Sequence, residues 1–222
     1  MPKRSHREEI EIKLAVRDLR DLRARLKRLR AREISPRTYE TNTLYDTLAQ
    51  SLRRRGQLLR IRTEQPPASF GKTATHEDAV GILTYKGPPA HPYQPGKTSN
   101  GPSRRNQYKI KDEAEVRAAG AGELARILRS LGLQPVFRYE KFRTTYALPG
   151  ISELKIELDE TPVGIYLELE GPIAGIDRAA RLLGYARRDY VTDSYGGLYL
   201  AECRRRGQKP GHMLFPPTKK SR

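Results

Sequence analysis

Glu9-Ile10-Glu11-Ile12-Lys13 is the stretch on which the fold turns. In extended backbone successive side chains point to opposite faces, so Glu9, Glu11 and Lys13 share one face and Ile10 and Ile12 the other. One such strand reads as half-buried, with its charged side in water. The same alternation recurs down the chain, and that recurrence is what needs explaining.

Residues 37–46 are rich in Thr and Tyr and predict a second strand. Residues 57–64 form a third, with Arg60 and Arg62 opposite Leu59 and Ile61. A fourth, 81–86, ends on Lys86. The stretch 109–117 carries Lys111, Glu113 and Glu115 on one face, and 136–146 carries Lys141 and Arg143. Segments 152–159 and 165–170 flank Thr161-Pro162-Val163-Gly164, a hairpin signal; their charged faces bear Lys155, Glu157 and Asp159, then Glu168 and Glu170. Val16, Leu19, Leu22, Leu26 and Leu29 recur at helical spacing in an Arg-rich background, predicting an amphipathic helix over 17–32. Helices are also expected over 123–131 and 172–183, and a short one within the Tyr-rich stretch 188–203. Loops rich in Pro and Gly run to residue 79 and over 87–106. Each holds a Gly-Lys-Thr, at 71–73 and 96–98, but the first glycine of a phosphate-binding Walker loop is replaced by Pro66 or His91.

Two arrangements satisfy this pattern. Two sheets packed on their apolar faces would leave the charges in solvent. Alternatively, the helices cover the apolar face from outside and the charged face curls around a polar lumen, which also removes the exposed strand edges. In the second, the acids and bases converge. Carboxylates are hard oxygen ligands for Mg²⁺ or Mn²⁺, and Lys and Arg hold phosphate oxygens, so such a lumen suits a metal-bridged polyphosphate.

The 222 residues carry a formal net charge of +17, which favours polyanionic partners without choosing among them. A lone Cys203 excludes an internal disulfide, and no run is apolar enough to be a signal peptide or to span a membrane, so the expected location is cytoplasmic. The expected organisation is one domain over 1–203 and a basic, disordered tail over 204–222. That tail motivates a competing reading, a non-catalytic binder of nucleic acid or polyphosphate. Monomer and homodimer remain open.

The charged strands also carry a resemblance. Glu9-x-Glu11-x-Lys13, Leu59-Arg60-Ile61-Arg62, Thr84-Tyr85-Lys86-Gly87-Pro88, Lys111-x-Glu113-x-Glu115, Lys141-x-Arg143 and the block from Ile156 to Glu170 occur in consistent order, and together the chain resembles the CYTH family of triphosphate tunnel metalloenzymes, which includes class IV adenylate cyclases and thiamine triphosphatases. The resemblance implies an α+β fold: an eight-stranded, closed antiparallel β-barrel with amphipathic helices outside. It implies that Glu9, Glu11, Asp159, Glu168 and Glu170 hold Mg²⁺ or Mn²⁺. Lys13, Arg60, Arg62, Lys86, Lys111, Lys141, Arg143 and Lys155 would hold phosphates, and Glu113, Glu115 and Glu157 would line the tunnel. Catalysis would fall to Glu9, Glu11, Lys13 and Asp159. Lys111 stands where family members often have Arg, which puts bidentate phosphate contact there in doubt. The implied activity is hydrolysis of a triphosphate, with cyclisation of ATP as the alternative; Tyr190, Tyr195 and Tyr199 are adenine-reading candidates or core residues.

Overall fold

Closure of the sheet decides between the two arrangements. The structure is a computed structural model that describes residues 7–70, 79–89 and 107–216 (for Arg7, the backbone). Its strands are β1 (Arg7–Ala15), β2 (Arg32–Asp46), β3 (Leu58–Gln65), β4 (Gly81–Pro89), β5 (Lys109–Ala118), β6 (Gln134–Ala147), β7 (Lys155–Thr161), β8 (Gly164–Glu170) and the short β9 (Tyr190–Val191). They pair antiparallel in the order β5-β4-β3-β2-β6-β7-β8-β1, and β1 pairs again with β5. The result is a closed eight-stranded barrel. β9 continues the β5 edge along β1, opposite Lys13 and Leu14. Register sets Glu11 opposite Lys109 on one side and opposite Glu170 on the other.

With the barrel closed, the apolar faces point outward and need cover. Ile12, Leu14, Ile156, Leu158, Leu167 and Leu169 are buried beneath two helices, α1 (Leu19–Arg28) through Leu22 and Leu26, and α4 (Ile173–Leu182) through Ile176, Ala179 and Ala180. Each such side chain removed from water contributes about 1.5–3 kcal/mol. A third helix, α3 (Ala121–Ser130), sets Ala121 and Leu128 over Ile61 and Tyr45. It approaches so closely at Gly81 that a Cβ there would stand 2.8 Å from Leu124 Cδ1. Between β2 and β3 lies a single turn of helix, α2 (Ser51–Arg54), which the sequence reading left out.

Several boundaries differ from expectation for local reasons. The first helix stops at Arg28 rather than residue 32, because Arg30 takes a left-handed φ of 54° and Arg32 already opens β2. The strand expected from 152 starts at Lys155, since Glu153 sits at a φ of 58° in the preceding turn. Within 188–203 the chain forms β9 and then α5 (Tyr195–Arg206), whose first turn is capped by the Ser194 side chain accepting from the Gly197 N–H at 3.1 Å.

Of the tail expected to be disordered from Arg204, the structure describes residues 204–216: α5 runs to Arg206 and the residues beyond it pack on the barrel. β7 pairs with β6 only over Phe142–Tyr146, which leaves the first half of β6 with an open edge. Residues past α5 fill it: the Met213 N–H donates to the Arg138 carbonyl and the Glu140 N–H to the Met213 carbonyl, both at 3.0 Å. Met213 is fully buried against Tyr139 and Tyr195, and Phe215 joins Phe70 and Phe142 in an aromatic cluster outside the barrel. The unsatisfied edge and the apolar pocket beneath it give the tail its place. Residues 217–222, both Gly-Lys-Thr motifs and most of the 87–106 loop lie outside the described residues.

Candidate active site

The inward face of the barrel encloses a cavity of about 1000 Å³. Glu9, Glu11, Lys13, Arg60, Arg62, Lys86, Glu113, Glu115, Lys141, Arg143, Lys155, Glu157, Glu168 and Glu170 all line it, so the structure brings most of the residues singled out from sequence into one place. Each comes from alternate positions on a strand whose other face is covered from outside, by helices over most of the barrel and by Phe70 and Phe215 over Phe142 of β6. The side-chain direction is therefore a consequence of where the apolar residues must go.

The acids and bases form one connected set. Lys86 reaches both Glu9 oxygens, at 2.5 and 2.7 Å, and Glu113 at 3.2 Å. Lys13, 1 % exposed, bridges Glu11 at 2.9 Å and Glu168 at 2.7 Å. Arg143 grips Asp159 with two bonds of 2.6 Å and also contacts Glu157 and Glu168. Burying this many charges is tolerable because most carry opposite partners. Arg60 differs: its hydrogen bonds go to the neutral hydroxyls of Tyr139, at 3.0 Å, and Thr84, at 3.2 Å. Its guanidinium is the cation on this wall least committed to a carboxylate.

These surroundings split the carboxyls. Burial pushes Glu9 up to about 8, reinforced by the neighbouring carboxylates of Glu11 and Glu113 and opposed by Lys86. Burial likewise pushes Glu157 up to about 7 against the pull of Arg143. Glu11 and Glu168 are also disfavoured by burial, but their lysines outweigh it and hold both well below the ordinary range: Lys109, Lys13 and Lys86 around Glu11, Lys13 beside Glu168.

Two expected site residues stand elsewhere. Asp159 is fully buried behind the wall, its carboxylate enclosed by Arg143, by Lys141 at 3.1 Å and by the Tyr195 hydroxyl at 2.5 Å. Lys111 gives its ammonium to the Gly56 carbonyl at 2.7 Å. The reason is local: β4 and β5 lose register between Lys86 and Pro89, and Pro89, the cross-strand partner of Lys111, packs on the turn at Gly56. Lys155 and Glu170 pair with each other at 3.1 Å in the more exposed part of the wall.

Three residues of the site went unnoticed in sequence. Lys109 lines the cavity and lies 2.5 Å from Glu11; strand parity could have found it, two positions before Lys111. Glu40, 2 % exposed, faces Lys141 at 3.4 Å and Arg143 at 3.9 Å, and these two with Arg62 and Arg60 bring its carboxyl down to about 2 against the cost of burial. Its signal was a lone acid in a Thr/Tyr strand. Tyr139 had none beyond parity with Lys141.

Among the described residues, no three of Asp, Glu, His and Cys converge tightly enough to hold a metal ion by themselves. The donors nonetheless fit a hard divalent cation such as Mg²⁺, which takes one or two carboxylates and completes its shell with water and phosphate oxygens. Glu9 and Glu11, side by side on β1, are the natural pair. Also among the described residues, no helix is long and apolar enough to cross a membrane.

Comparison with known proteins agrees with the closed barrel. A candidate adenylate cyclase of Vibrio parahaemolyticus superposes with a TM-score of 0.64 at 17 % identity, covering 86 % of this chain and 96 % of that one. A Pyrococcus horikoshii protein superposes at 0.65 with 19 % identity over 87 % of this chain and 99 % of its own. A candidate adenylyl cyclase of Hippeastrum, described as having a dominant triphosphatase activity, gives 0.50 at 18 % identity over 91 % of this chain and 97 % of its own. At these identities the likeness is one of fold. No curated protein matches the chain significantly. The CYTH domain model matches residues 7–194, which hold every strand of the barrel and the helices α1 to α4, and the chain belongs to the CYTH family.

Proposed function

We propose that the protein is a divalent-metal-dependent triphosphatase, releasing the terminal phosphate of an inorganic, nucleoside or thiamine triphosphate bound inside the barrel. The observation that carries this reading is the convergence of interleaved carboxylates and cations on one enclosed cavity. A nucleic-acid backbone needs bases without so many acids; a polyphosphate with its cations needs both.

Arg60, Arg62, Lys13, Lys86, Lys141 and Arg143 hold the phosphate oxygens and neutralise charge as the terminal P–O bond breaks. Glu9 and Glu11 would hold Mg²⁺ or Mn²⁺, with Glu168 and Glu170 completing the acidic wall. The metal supplies charge neutralisation and a polarised phosphoryl oxygen. Glu157, poised near neutrality, takes the proton of the attacking water at its carboxylate oxygen, and the diphosphate leaves onto the lysines and arginines. Asp159 acts from behind the wall by fixing Arg143 and Lys141.

A second reading, class IV adenylate cyclase, is favoured by the likeness to the Vibrio protein. There the ribose 3′-hydroxyl attacks the α-phosphorus and pyrophosphate leaves. Incubating the purified chain with ATP, thiamine triphosphate or tripolyphosphate, with Mg²⁺ or Mn²⁺, and resolving the products separates the two. Free phosphate with ADP or diphosphate is the expected result; cyclic AMP with pyrophosphate selects the cyclase. The double variant Glu9→Ala/Glu11→Ala is expected to lose at least about a hundredfold in turnover while keeping the wild-type circular dichroism. Undiminished phosphate release by that variant would sink the tunnel assignment.

A further inference from the structure

Glu11 is the most crowded carboxylate in the lumen, and the crowd has a particular order. Its Oε1 accepts from two ammonium groups, Lys109 at 2.5 Å and Lys13 at 2.9 Å, while Lys86 stands 3.8 Å from Oε2. A divalent cation that bonds Glu11 must displace at least part of this set. The three lysines are unequal in what they would then be left with. Lys13 keeps Glu168, and Lys86 keeps Glu9 and Glu113. Among the described residues, the carboxylate contact of Lys109 is Glu11 alone.

Lys109 is thus the ammonium that loses its counter-charge when Glu11 is taken, inside a wall too enclosed for water to compensate fully. It lines the same cavity as the phosphate-binding candidates, directly across the sheet from Glu11 in the β1–β5 register. An anion arriving with the cation offers it a new partner. Resting on the triphosphate reading above, we propose that Lys109 is a positioning residue that exchanges partners. It holds Glu11 while the tunnel is free, and moves to a substrate phosphate oxygen when a divalent cation takes Glu11.

The exchange makes the two binding events cooperative. Without the anion, the cation must strand Lys109; without the cation, the anion must pull Lys109 from Glu11. Together, each relieves the other. By linkage the coupling is reciprocal and of about five- to a hundredfold in affinity.

The test uses the full chain and two separate probes, by isothermal titration calorimetry: Mn²⁺ alone, and tripolyphosphate in the presence of chelator. In Lys109→Met, Mn²⁺ alone is expected to bind about tenfold more tightly, because one competing ammonium is gone. Metal-free tripolyphosphate is expected to bind about tenfold more weakly. Lys109→Arg, which keeps the charge, restores both values toward wild type, an outcome a merely structural lysine would not produce. Lys109→Gln serves as the neutral variant should the methionine protein fail to fold. Mn²⁺ affinity that is unchanged or weaker in the neutral variant overturns the exchange. If wild type binds both probes and the neutral variant behaves like it, the exchange alone fails; if wild type binds neither, the triphosphate reading fails with it.

Discussion

Glu9 and Glu11 are two residues apart on one strand, yet their environments drive them in opposite directions. Burial lifts Glu9 from 4.5 to about 8, while the three lysines hold Glu11 low. The stability consequence has a definite sign. A carboxyl raised in the folded state contributes stability that is fully present below its unfolded pKa and is lost as pH rises through the folded value. Wild-type protein in chelator should therefore lose stability relative to Glu9→Gln as pH climbs from about 4.5 to about 8, because the amide never has to ionise. Thermal melts of the two proteins should nearly coincide at the acid end and separate by roughly 10 °C in favour of Glu9→Gln at about pH 8. A gap that is constant or narrows with pH would contradict the burial of Glu9 as described. The same carboxyl is a proposed metal ligand, so the neutral amide should trade this stability for weaker metal binding.

At the level of elements, the segment after α5 does work that its basic composition conceals. It pairs with the otherwise open edge of β6 and delivers Met213 into a pocket with Tyr139 and Tyr195. Tyr195 in turn caps Asp159, and the Lys13 and Lys141 ammonium groups lie 5.1 and 5.4 Å from its ring centroid. The tail thereby supports one wall of the lumen. Met213→Ala leaves a cavity at a fully buried position and should cost about 2–4 kcal/mol in urea unfolding. The loss should carry through Tyr195 to the site, so that the affinity for tripolyphosphate with Mg²⁺ falls as well. A variant with wild-type stability would mean that the tail merely rests on the barrel.

For the whole molecule, closure distributes the site over all the barrel strands. β1, β3, β4, β5, β6, β7 and β8 each present charged side chains to one cavity, while β2 places Glu40 beside Lys141. A ligand that bridges these walls must be released before the barrel can open. Saturating Mg²⁺ with tripolyphosphate should accordingly raise the midpoint of global unfolding as a single transition. At about a hundred times Kd the gain is ~2.7 kcal/mol, or roughly 5–10 °C. Either component alone should give less than half of that shift. Scanning fluorimetry with the four combinations measures it, and additive shifts would argue against a shared, bridged site.

Much of this was legible in the chain itself. Strict alternation in Glu9–Lys13, Leu59–Arg62 and Ile156–Asp159 determined which side chains share a face, because the period of a strand leaves no freedom, and leucines at helical spacing in 19–29 determined what covers the other face. The identity of the charged side, acid and base together, matched a metal-bridged polyphosphate only on condition that this face turns inward. What the alternation could not determine was which face is inside, since both a sandwich and a barrel satisfy it; the β1–β5 pairing, between segments about a hundred residues apart in sequence, decided that. Only the tertiary structure could separate Asp159, sealed behind Arg143, from Glu157 two residues earlier on the same face, or Lys109 on Glu11 from Lys111 on Gly56. Parity tells which way a side chain leaves the strand, but the depth it reaches and the partner it finds depend on neighbours that the fold alone brings together.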